Sequence, residues 1–110
     1  MKHDLHDVCM QIRRDTVRSI YRAGSGHPGS SLSAVEIMAT LYFTDVFTCF
    51  PDRPHAPERD RFVLSKGHAA PAYYSILAHK GYFPLALLDT LRTVGSALQG
   101  HPNLEKLPCL

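Results

Sequence analysis

Three histidines share one local setting. Gly26-His27-Pro28, Gly67-His68-Ala69 and Gly100-His101-Pro102 each place an imidazole directly after a glycine in a stretch that reads as loop. Glycine lets a ligand or a neighbouring backbone come close. Imidazole donates to a phosphate or hydroxyl, or passes a proton near neutral pH. The first two motifs run into helical patterns, and helix N-terminal amides attract anions. Lys66, Ser30 and Ser31 add a cation and two hydroxyls nearby in sequence. Together these residues sketch a pocket for a phosphorylated, hydroxyl-rich ligand. Taken singly, each histidine also fits a turn residue bonded to backbone, and the repeated context leaves the two readings evenly matched.

Other constellations are weaker. His3, His6 and Cys9 lie three residues apart on one helical face, the spacing of a partial zinc site, but no fourth ligand accompanies them. Frayed N-terminal histidines are the commoner case, so no metal ligand is assigned. Tyr73 and Tyr74 fall at helical spacing with Ile76 and Leu77, the pattern of a core rather than a stacking platform. No phosphate-binding loop, nucleophile elbow or dinucleotide fingerprint is present.

The elements that must position the histidines follow from periodicity. Leu5, Val8, Cys9, Ile12, Thr16, Ile20 and Ala23 form one stripe, predicting a helix over Leu5 to Ala23 with Gly24 as its stop. The small residues of 24–31 read as a loop. Ser33 and Glu36 have capping-box spacing ahead of a helix over Ala34 to Phe43. That helix is apolar nearly all round, so it must be covered on every side. The stretch 44–60, with Pro51, Pro54 and Pro57, reads as a surface loop. Arg61 to Ser65 is short and apolar at its centre, predicting a buried strand. Pro71 opens a helix to Lys80 that Gly81 ends, and Pro84 opens a short one through Leu91 or Arg92. From Gly95 the chain leaves regular structure.

Composition limits the class. The chain has 110 residues, 45% hydrophobic and 20% charged, which is one ordinary globular domain rather than a disordered segment. Twelve Lys and Arg against ten Asp and Glu give a net charge of +2, too little for a dedicated nucleic-acid binder. No apolar run is long enough to cross a bilayer, and the N-terminus lacks the apolar stretch of a secretory signal. Cys9, Cys49 and Cys109 are odd in number and far apart, so they form no disulfide framework. These features predict a cytoplasmic chain with reduced thiols, no membrane and no nucleic-acid partner.

The strings Ser25-Gly26-His27-Pro28-Gly29, Asp60-Arg61-Phe62-Val63-Leu64-Ser65-Lys66-Gly67-His68-Ala69-Ala70-Pro71 and Leu98-Gln99-Gly100-His101-Pro102 resemble the opening third of the thiamine-diphosphate module of transketolase. Ile20-Tyr21-Arg22-Ala23-Gly24 and Gly81-Tyr82-Phe83-Pro84 are similar too. The type most resembled is the N-terminal component of split transketolases. The likeness runs in order along nearly the whole chain.

This resemblance carries several expectations. It implies an α/β three-layer thiamine-diphosphate-binding fold, of which residues 1–110 are an incomplete N-terminal portion, mostly helical, with Phe62 to Leu64 as one clear strand. It implies that His68 contacts the cofactor diphosphate, while His27 and His101 are the catalytic pair lining the substrate channel. It implies transfer of a two-carbon ketol unit from a ketose to an aldose phosphate, with thiamine diphosphate and Mg2+ as cofactors. The family's later glycine-rich segment, its Gly-Asp-Gly metal element and the glutamate facing the aminopyrimidine all fall beyond Leu110. Cys109 stands where the family has glycine. The chain is therefore expected to carry part of a site and to be inactive alone. Its expected partners are sugar phosphates and either the remainder of the enzyme or a C-terminal component, in a homodimer or heterotetramer. The alternative is a non-catalytic remnant or interaction module that docks on a related partner.

Overall fold

The computed structural model describes residues 4–110. His3 of the zinc-spaced trio lies outside them. Helix α1 spans Leu5–Ala23, as its stripe predicts. The Asp4 carboxylate accepts the His6 amide at 3.0 Å, capping the start. Gly24, at φ 72°, bonds back to Ile20 and Tyr21 and ends the helix. Val8, Cys9, Ile12, Thr16 and Ile20 face inward.

A short helix α2, Pro28–Leu32, forms where the sequence predicts loop. Pro28 supplies the preset φ of a first helical turn, a signal the surrounding small residues obscure. Helix α3 is Val35–Tyr42, and the predicted capping box does not form. Ala34 rather than Ser33 sits at the cap, and the Ser33 hydroxyl donates to the Ser30 carbonyl at 3.1 Å. Glu36 pairs with Arg13 of α1, which holds its carboxyl below the usual range.

Helix α4, Ala70–Lys80, follows a 3-10 turn over Gly67–Ala69 and ends at Gly81. Its residues Ala70 to Ala78 are all buried. Helices α1, α2, α3 and a 3-10 helix over Leu85–Thr90 all pack on it. Small side chains at Ala70, Ala72, Ser75 and Ala78 let these neighbours come close. One apolar cluster joins Ile12, Met38, Tyr42, Ile76 and Leu77; a second joins Ile20, Tyr74, Leu88, Leu91 and Leu98. The helix buried on every side is thus α4, not α3. Val35, Met38, Ala39 and Tyr42 of α3 point inward at helical spacing, while Ile37 is 65% exposed.

The predicted strand is not present: no strand occurs among the described residues. The segment 61–65 is irregular, although Phe62 and Leu64 are half-buried against the core and Val63 between them is 82% exposed. That alternation is the side-chain pattern of a strand. A strand also needs a neighbour to take its amides and carbonyls, and no ladder of such bonds forms among the described residues. The loop before it is closed by a reciprocal pair: the Asp60 amide donates to the Thr48 carbonyl and the Thr48 amide to the Asp60 carboxylate, both at 2.7 Å. All three cysteines are free thiols. No helix among the described residues is long and apolar enough to cross a membrane.

Candidate active site

The three glycine–histidine motifs meet at one end of α4. His27 occupies the residue before α2, His68 the middle of the 3-10 turn, and His101 the loop after Leu98. The rings of His27 and His68 are 4.4 Å apart between centroids, inclined at 46°. Those of His68 and His101 are 5.9 Å apart. All three side chains line a cleft of about 140 Å³ together with Gly26, Pro71, Arg92 and Gly100. The histidines are exposed, and none is hydrogen-bonded to another described residue.

Each motif's glycine answers a different constraint. Gly26 has φ 141°, a backbone state side chains rarely adopt, and a Cβ there would press within 3.1 Å of Ile20. At Gly67 a Cβ would overlap the imidazole of His101. At Gly100 it would fall 2.7 Å from a guanidinium nitrogen of Arg92. Two of the three glycines thus leave room for the far end of another side chain of the cleft.

Two further residues shape the third wall: Tyr74, assigned to the core from its spacing and indeed buried, and Arg92, which the sequence did not mark. Tyr74, fully buried on α4, donates its hydroxyl to the Gln99 carbonyl at 2.5 Å, two residues before His101. Burial pushes its phenol up to about 12, against a smaller opposing effect of that bond, so it remains a donor at neutral pH. Its spacing among core residues marks it only as filler. Arg92 lies at φ 61°, left-handed backbone that costs an arginine on the order of 1 kcal/mol. Its amide donates to the Leu98 carbonyl at 2.8 Å, closing the loop that returns the chain to His101. Inside this loop Ser96 contacts the Thr90 hydroxyl at 2.7 Å and accepts the Leu98 amide at 3.0 Å.

The other nominated donors do not join the cleft. The Ser31 hydroxyl is buried without a partner among the described residues. Lys66 turns to Ser33, 2.6 Å from its hydroxyl. Tyr73 packs in the aromatic core, where burial raises its phenol. Among the described residues no three His, Cys, Asp or Glu side chains could share a metal ion.

A buried helical hub thus presents three imidazoles and an arginine around one small cleft. Residues 5–110 match the family described as transketolase, thiamine diphosphate binding domain. The chain is 48% identical over 103 residues to the 6-deoxy-6-sulfo-D-fructose transketolase subunit of Clostridium sp. (strain MSTE9), covering 94% of this chain and 37% of that one. It is 43% identical over 93 residues to an apulose-4-phosphate transketolase subunit of Phocaeicola vulgatus, covering 84% and 33%. The solved transketolase from Leishmania mexicana superposes with a TM-score of 0.92 at 30% identity, over all of this chain and 16% of that one. The chain belongs to the transketolase thiamine-diphosphate-binding domain family. It spans little more than a third, or less, of the relatives it matches.

Proposed function

We propose that this chain supplies the opening part of a ketol-transferring site, with His68 at the cofactor diphosphate and His27 and His101 at the sugar. The observation that carries the reading is the convergence of the three imidazoles, 4.4 and 5.9 Å apart, from three separate loops into one cleft. The donor set suits thiamine diphosphate, since none of the three rings is committed to a protein acceptor. When bound, that cofactor supplies the carbon nucleophile and electron sink for cleaving the bond beside a ketone.

The chain's own residues then bind and orient. His68, central in the row, donates to phosphoryl oxygen. His27 and His101, on either side of it, exchange hydrogen bonds with sugar hydroxyls and hold their protons as the carbon–carbon bond breaks and re-forms between a ketose and an aldose phosphate. Mg2+ does not fit the described residues, which offer no ligand set for it. Its ligands, and the rest of the cofactor pocket, belong to the remainder of the enzyme or to a C-terminal component, and assembly as a dimer or heterotetramer follows from that division. The irregular segment 61–65, with Val63 outward, is the face that meets this remainder. Alone, the chain turns over no sugar.

Calorimetry with thiamine diphosphate and magnesium tests the reading. One charge-assisted bond contributes roughly 1.5–3 kcal/mol, and millimolar affinity needs about 4 kcal/mol. The 110-residue chain should therefore bind no more tightly than about millimolar, and its complete protein far more tightly. Micromolar binding by the chain alone would overturn the division of the site.

A further inference from the structure

The side chain of Arg92 reaches the histidine cleft under unusual conditions. Its backbone is held in the left-handed region, at φ 61°, where glycine or asparagine would be the unstrained choice. The loop imposes that conformation through the Arg92 amide bond to Leu98. Strained residues that persist in a structure concentrate at ligand sites. The guanidinium passes close over Gly100: a Cβ there would lie 2.7 Å from Nη1, 3.2 Å from Cζ and 3.6 Å from Nη2, so a side chain would displace it. It thereby lines the same cleft as His27, His68 and His101.

No carboxylate or carbonyl among the described residues accepts from this guanidinium, although Arg13, Arg18, Arg22 and Arg53 all pair with carboxylates. Arg92 is always charged, and its planar fork of donors matches phosphoryl oxygens.

The geometry points to Arg92 as an anion-binding residue of the cleft, one that takes a phosphoryl group of the ligand beside His101. This rests on the reading of the cleft as a site for phosphorylated molecules, and it adds a fixed cation to three imidazoles. Two ligands carry such a group: a cofactor diphosphate and a sugar phosphate.

Inorganic pyrophosphate and ribose 5-phosphate are the probes, titrated into the full 110-residue chain while the histidine side-chain signals are followed by NMR. Arg92→Gly removes the charge while suiting the left-handed backbone, so its melting temperature should equal or exceed that of the parent. Its binding of at least one probe should nevertheless weaken roughly tenfold or more. Arg92→Asn should behave alike, and Arg92→Lys should weaken binding less than Arg92→Gly does, since it keeps a point charge but not the fork of donors. Weakening confined to pyrophosphate assigns the cofactor's diphosphate, and weakening confined to ribose 5-phosphate assigns the sugar's phosphate.

Unchanged affinity of Arg92→Gly for both probes overturns the inference, as does equal weakening in Arg92→Lys and Arg92→Gly. His68→Ala separates this failure from that of the functional reading. Weakening by His68→Ala without weakening by Arg92→Gly removes Arg92 alone. If the parent chain shows no histidine shift even with both probes raised well above millimolar, or His68→Ala also has no effect, the phosphoryl reading of the whole cleft falls with it.

Discussion

The imidazole of His101 rests on the Cα of Gly67, in a space that a single methyl group would fill. The second motif is thereby a seat for the third, and the two loops cannot vary independently. Gly67→Ala should push the His101 ring away from His68 while leaving the fold intact, because the displaced atoms are the free end of a side chain. The expected stability change is within about 1 kcal/mol. A structure of the variant should show the 5.9 Å spacing of His68 and His101 widened and the 4.4 Å spacing of His27 and His68 kept. An unmoved His101 would contradict this.

Tyr74 ties the hub helix to the His101 loop through a bond to a backbone carbonyl. Tyr74→Phe leaves that acceptor short of a partner and should cost about 1–3 kcal/mol in urea unfolding at neutral pH. The parent has a further alkaline sensitivity. Since the folded phenol is raised to about 12 from 10.0, this contribution is whole below pH 10 and is lost as pH climbs toward 12. The deficit of Tyr74→Phe should accordingly shrink across that window; a constant deficit from pH 7 to 11 would show that the phenol does not titrate with unfolding.

Ser75 lies on the buried face of α4 with a hydroxyl that has no partner among the described residues. Burying a hydroxyl without a bond is unfavourable. Ser75→Ala should leave the melting temperature unchanged or raise it by a few degrees, on the order of 1 kcal/mol. A clear loss of stability by thermal unfolding would mean that the hydroxyl is satisfied in solution.

In the complete protein, His68→Ala should weaken thiamine diphosphate binding more than His27→Ala or His101→Ala does. Those two variants should chiefly lower turnover and raise the KM for sugar. Equal losses of cofactor affinity in all three, measured by calorimetry, would remove the proposed division of roles.

Much of this was legible because short-range chemistry decides it. The stripe in α1, Gly24 and Gly81 at helix ends, and Pro71 in the first turn of α4 all act within a few residues. The histidines were legible as candidates through their repeated context, but not as neighbours, since 41 residues separate His27 from His68 in the chain and only 4.4 Å in space. What sequence could not show depended on long-range partners. Glu36 left its capping position for Arg13. Phe62 and Leu64 kept a strand's alternation without its hydrogen bonds. Arg92 looked like any surface arginine, because φ is set by the loop's closure on Leu98. Lys66 and Ser31 were nominated by proximity along the chain and fold away from the cleft.

The complete burial of α4 has a consequence for how the cleft can move. One end of this helix follows His68 directly, and its Tyr74 fixes the loop before His101. Fraying the helix would uncover both apolar clusters at once, so its amides should exchange with solvent through global unfolding. Two walls of the cleft are thus attached to this helix, and the third, His27, stands at the head of α2, which packs on it as well. Opening the cleft should therefore require α2 to part from α4 rather than a loop to swing alone.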